Sequence, residues 1–147
     1  MPSHSEQKLL PYSPDQMFDM VADVRDYPRF VPWCQAARVR QSGQSLIVAD
    51  LMIGFGPFRE SFTSHVHLDR PREVMVQAAD GPLEHLSNQW VFTPVKDGTQ
   101  VDFAVDFRFK SHLLDHAANA MFHDASMRLM DAFEARAHSL YHPAPNG

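Results

Sequence analysis

Cysteine is all but missing: Cys34 stands alone in a chain of 147 residues. That excludes an internal disulfide and any cysteine cluster for metal, and it suits a reducing compartment. There is no phosphate loop, no dinucleotide fingerprint and no Gly-x-Ser-x-Gly nucleophile elbow, so the commonest sequence-readable routes to nucleotide binding and serine catalysis are closed. No basic block occurs, and the formal net charge is −5. The electrostatic footprint of a nucleic-acid binder is therefore lacking, and no DNA partner is expected. Apolar runs stop far short of the roughly 20 residues needed to span a bilayer, and Met1 to Leu10 carries neither a signal-peptide core nor an arginine-rich transit pattern. The expectation is a soluble protein whose membrane contact, if any, is peripheral. Internal repeats and low-complexity segments are also missing, and residues 1–147 read as a single domain of ordinary size.

What is present begins with Ser111 to Tyr141, a stretch free of proline and glycine. At about 100° per residue, Leu114, Ala118, Met121, Phe122, Ala125, Leu129, Ala132, Phe133 and Leu140 share one broad stripe. His112, His116, His123 and Glu134 fall on the other side. This predicts a long helix with one buried face, capped by Ser111 and ended by Pro143 and Pro145. The stripe mixes small and bulky groups, which suits either close packing or a gap left for a ligand. Arg136 intrudes on it and needs a counter-charge or water; a structural ion pair is the first reading, a ligand contact the second.

Before that helix, Ser3 to Leu10 is short and mostly polar, as an edge strand would be, and Pro11 stops it. Ser13-Pro14-Asp15 opens a helix of about three turns with a capping residue and proline at the first helical position, followed by Met17, Phe18, Met20, Val21 and Val24. Asp26 to Cys34 carries two prolines among Tyr27, Phe30, Val31 and Trp33, which predicts a second short helix or turn. From Gln35 to Lys110 the period becomes two. Val101, Phe103, Val105, Phe107 and Phe109 form one inward set, Leu86, Asn88, Trp90 and Phe92 another, and Phe58, Glu60, Phe62, Ser64, Val66 and Leu68 a third. Turn signals divide this region into about six strands, making seven with the first. The fold class is α+β: a curved antiparallel sheet of about seven strands around a long C-terminal helix, with two short helices early.

Nine histidines suggest metal or acid–base chemistry, and His112 and His116 lie one helical turn apart. They project away from the apolar stripe with no further ligand placed by sequence, so no metal site is expected. His65 and His67 face outward on their strand. Cys34, beside Pro32 and Trp33, reads as a small apolar group. The inward polar residues Glu60 and Asn88 are either structural hydrogen-bonding groups or ligand contacts. Sixteen aromatic residues, eleven of them Phe, concentrate on the inner faces, and Gly54-Phe55-Gly56-Pro57-Phe58 forms a loop that either tucks into the core or serves as a lid or membrane-touching edge.

Four segments carry a family signature: Tyr27-Pro28-Arg29-Phe30-Val31-Pro32-Trp33-Cys34; Asp80-Gly81-Pro82-Leu83 with Trp90-Val91-Phe92; Phe107 to Ser111; and Ala132 to Ala137 with Tyr141. Over nearly its whole length the chain resembles the coenzyme-Q-binding branch of the START-like polyketide cyclase/lipid transport superfamily. The resemblance implies a helix-grip fold, also called START-like or Bet v 1-like, with a hydrophobic tunnel for ubiquinone or a related polyprenyl lipid. Its role would support quinone biosynthesis or electron transfer rather than catalysis. Leu83 stands where that family often has an aromatic residue.

The leading expectation is a non-enzymatic binder of ubiquinone (coenzyme Q), with no catalytic residue and no catalytic cofactor. Its pocket would be lined by Phe62, Trp90, Phe92, Phe107, Phe109, Met121, Phe122 and Ala125, with Tyr27, Phe30, Trp33 and Phe55 near the mouth and Glu60 and Asn88 as polar contacts. A bacterial branch with similar motifs inhibits ribosomal-subunit association, so a ribosomal subunit is the alternative partner. A cyclase acting on aromatic polyketides comes third, because Glu60 is the only ionisable candidate on an inner strand face. The expected location is the cytoplasm, peripheral to the inner membrane, and a mature organellar protein fits as well.

Overall fold

Side-chain alternation sets the sheet. In the computed structural model, which describes residues 3–55 and 57–141, seven strands form one antiparallel sheet in the order β1-β7-β6-β5-β4-β3-β2. They are β1 (Ser3–Leu10), β2 (Cys34–Ser42), β3 (Leu46–Phe55), β4 (Phe58–Asp69), β5 (Glu73–Ala78), β6 (Leu83–Val95) and β7 (Gly98–Phe109). β1 lies at the edge, as its polarity predicts. Helix α1 (Pro14–Ala22), a 3-10 turn (Val24–Asp26) and α2 (Tyr27–Phe30) separate β1 from β2, and α3 (His112–Leu140) ends the order. Register brings the inward sets together: Trp90 faces Phe103, Asn88 faces Val105 and Leu86 faces Phe107 across β6 and β7. Leu51 opposes Phe62 across β3 and β4. Irregular pairing at Cys34/Ala36, Val39/Gln41 and Leu83/His85 adds twist and bend where the sheet must curve.

Local chemistry fixes the helix starts. Ser13 Oγ accepts from the Gln16 N–H at 3.1 Å while the Ser13 N–H donates to Gln16 Oε1 at 3.0 Å, a reciprocal cap that satisfies two backbone donors. Ser111 Oγ accepts from the Leu114 N–H at 3.2 Å. Helix α3 buries Leu114, Ala118, Ser126, Leu129, Met130, Phe133 and Ala137, a helical spacing that keeps one face on the sheet. The expected stripe needs one correction: Leu140 is 44% exposed, because it is the last residue of the helix and projects past the surface beneath. The expected terminators Pro143 and Pro145 lie outside the described residues. Arg136 donates to Asp26 at 3.1 Å and lies over the Phe30 ring, 5.3 Å from its centroid. The structural ion pair is thus present, tying α3 to the turn before α2. Lys8 on β1 bonds Glu134, and Tyr12 contacts His138 Nδ1 at 3.2 Å.

Two glycines are required by geometry. Gly81 sits at φ +57°, and a Cβ there would come within 2.7 Å of the Ser61 carbonyl oxygen. A Cβ on Gly98 would lie 2.1 Å from the Leu10 carbonyl oxygen, so its absence allows the end of β1 to close against β7.

Candidate functional site

Between the inner sheet face and α3 lies a cavity of about 370 Å³, within the range of small-molecule sites. Its origin is in the sequence of α3. Phe133 fills one end, with its ring 4.7 Å from Trp90, and Phe122 meets Phe107 at 5.0 Å. Ala118, Ala125 and Ser126 lie along the same wall with too little side chain to reach the sheet. The opposite wall is Leu51 and Ile53 from β3, Phe62 from β4, Val76 from β5, Leu83, Leu86, Asn88 and Trp90 from β6, and Val105, Phe107 and Phe109 from β7. Tyr27 and the segment Val31 to Cys34 close one side. Pro32, Asp124 and Arg128 both border the cavity and are exposed, which places a mouth between α3 and the turn after α2. The Arg128 and Asp124 side chains pair there at 3.1 Å.

Most of the sequence-derived candidates converge on this space: Tyr27, Trp33, Phe62, Asn88, Trp90, Phe107, Phe109, Phe122 and Ala125 all border it. Three do not. Phe92 is 2% exposed and packs against Phe18 of α1 at 6.3 Å; it is on the predicted face but too far along β6, where α1 fills the space. Phe30 packs on Phe133 at 5.0 Å and Tyr27 at 5.9 Å, supporting the wall from behind. Glu60 is half-buried and opposite Ile53, at the end of β4 near the β3–β4 turn, and does not border the cavity. The side chains of Phe55 and Met121 lie outside the described residues. Sequence reasoning missed Leu51, Ile53 and Val76, whose strands lack clean alternation. It also missed Ser126, which sits four residues after Phe122 and four before Met130 but is polar.

Asn88 is held rather than free: its Nδ2 donates to the Ala104 carbonyl at 3.0 Å, and its Oδ1 accepts from Trp90 Nε1 at 2.9 Å. The Tyr27 hydroxyl donates to the Val21 carbonyl, and burial pushes its phenol well above the usual range. Burial likewise pushes the Cys34 thiol up to about 11, so both groups stay protonated at neutral pH and Cys34 is not an activated nucleophile. Among the described residues, the charged groups bordering the cavity are the mouth pair Asp124 and Arg128. Such a site can enclose an apolar molecule, and its described residues offer no interior acid–base pair. His112 and His116 are exposed, and no group of three or more His, Cys, Asp or Glu side chains that could hold a metal occurs among the described residues.

The model of the polyketide cyclase/dehydrase and lipid transport family matches residues 10–134. The chain belongs to this family. Its fold is START-like, a helix grip in which one antiparallel sheet wraps a C-terminal helix. One family relative is the mitochondrial coenzyme Q-binding protein COQ10 homolog B of Xenopus laevis, 36% identical over 94% of the chain. The chain spans only 59% of that protein's length. Another is the ribosome association toxin RatA of Rickettsia prowazekii, 33% identical over 93% of this chain and 97% of its own. Among solved structures, the Zhui aromatase/cyclase of a Streptomyces species superposes with a TM-score of 0.83, covering 97% of this chain and 98% of that one. At 17% identity that likeness speaks for the shared fold alone. No helix among the described residues is long and apolar enough to cross a membrane.

Proposed function

We propose that this family member is a non-enzymatic carrier of ubiquinone or a related polyprenyl lipid, serving electron transport or quinone biosynthesis from the cytoplasm with peripheral membrane contact. One observation carries the reading: an aromatic-walled cavity whose described interior presents no group charged at neutral pH. Burying an isoprenoid ligand there is worth about 25 cal/mol per Å² of apolar surface, whereas catalysis would need a positioned acid or base. The relative named as a coenzyme Q-binding protein supports the same ligand class. No catalytic cofactor is invoked.

The chain supplies its own probe, since its two tryptophans, Trp33 and Trp90, both border the cavity. Titration with a short-tailed ubiquinone should quench tryptophan fluorescence saturably, with an end point at an equimolar ratio. Linear, unsaturable quenching equal to that of free tryptophan would rule out the carrier reading. A second reading, association with a ribosomal subunit, draws support from the RatA relative, which matches along nearly the full length of both chains. It predicts co-sedimentation with isolated subunits.

A further inference from the structure

Three polar side chains are buried in the described structure: Ser64, Thr99 and Ser126. Two are satisfied by the backbone. Ser64 Oγ donates to the Ala49 carbonyl at 3.1 Å, and Thr99 Oγ1 donates to the Tyr12 carbonyl at 2.7 Å. Ser126 is 4% exposed, yet its hydroxyl has no hydrogen-bond partner among the described residues, not even the carbonyl one turn back that helical serines commonly use. No sealed-off side-chain nitrogen or oxygen in the described structure lacks a partner, so the Ser126 oxygen must open on accessible space. The space it borders is the cavity. Its neighbours on that wall are Ala125, Phe122 and Leu129, which offer no hydrogen bond, and Asn88 across the cavity is already committed.

We infer that Ser126 is the anchoring residue for the ring oxygen of a quinone held in this cavity. The inference rests on the carrier reading above and adds the group that recognises the head. A hydroxyl both donates and accepts. It donates to the carbonyl oxygen of the oxidised ring and accepts from the hydroxyl of the reduced ring, so one residue serves both redox forms. A hydrocarbon tail has no use for it. The mouth-lining Asp124 and Arg128 side chains are 71% and 67% exposed, while Ser126 is almost fully enclosed. This seats the ring inside and leads the tail toward the mouth.

The test compares two ligands on wild type and Ser126→Ala by titration calorimetry: ubiquinone with a single isoprene unit, and the corresponding arene with both ring oxygens removed. Loss of one neutral hydrogen bond should weaken quinone binding about 3- to 10-fold. Arene affinity should stay within about twofold, and Ser126→Thr, which keeps the hydroxyl, should recover most of the quinone affinity. The Tm of Ser126→Ala should equal or exceed that of wild type, because the hydroxyl has no partner among the described residues to lose. If both ligands bind and the substitution moves neither, or both equally, the anchor is wrong while the carrier reading stands. If wild type binds neither ligand, the carrier reading fails and the anchor with it.

Discussion

Ala118→Phe should abolish quenching by short-tailed ubiquinone at concentrations that saturate the wild type, while leaving the protein folded. Ala118 is buried at 7% exposure and borders the cavity on the α3 wall. A phenyl ring added there has empty space to enter, so the usual cost of overpacking a filled core gives way to cavity filling, which typically adds about 0.5–2 kcal/mol. The ligand loses that space. Displacing roughly 100 Å² of apolar contact costs about 2.5 kcal/mol, close to a hundredfold in affinity. The measurement is the fluorescence titration paired with a thermal melt. Unchanged affinity with an unchanged or raised Tm would show that the ligand lies elsewhere.

Trp90→Ala should cause the largest stability loss of any single substitution considered, about 3–5 kcal/mol, read as a fall in Tm of roughly 10 °C for a chain of this size. Trp90 is 2% exposed and joins three layers. Its ring meets Phe103 at 4.7 Å within the sheet and Phe133 of α3 at 4.7 Å, and Phe133 in turn meets Tyr27 and Phe30 of α2 at 5.5 and 5.0 Å. Truncation leaves a void where helix and sheet touch, and it strands Asn88 Oδ1 without the indole N–H donated at 2.9 Å, a further penalty for a half-buried acceptor. Trp90→Phe keeps most of the packing and should lose only about 1–3 kcal/mol. Equal melting temperatures for Trp90→Ala and wild type would refute this role.

The architecture was readable because its elements obey clear periods. β7 alternates along its whole inner set, Ser13 and Ser111 announce the helix starts, and α3 holds its apolar stripe from Leu114 to Phe133. The facing of each inward set was readable for the same reason, since period two fixes which side a strand residue takes. What periodicity lacks is position along the element. Phe92 and Trp90 share a face, but α1 covers the first, and only the second reaches the cavity. Glu60 shares the face of Phe62 and likewise falls beyond the cavity's end. Leu51-Met52-Ile53 reads as a continuous apolar run, so its inward members had no distinguishing mark before β3 paired with β4. Ser126 had the right helical spacing, but a serine on an apolar stripe gains meaning only when its hydroxyl proves to have no partner among the described residues.

The most direct measurement of the central claim is mass spectrometry of an organic-solvent extract of the protein purified from its native cells, beside an unrelated protein purified the same way. The account predicts a quinone or related polyprenyl lipid near equimolar ratio in wild type, enriched over that control and lost from Ala118→Phe. An extract without lipid, together with no uptake of added ubiquinone, would contradict it and transfer the weight to ribosomal-subunit association.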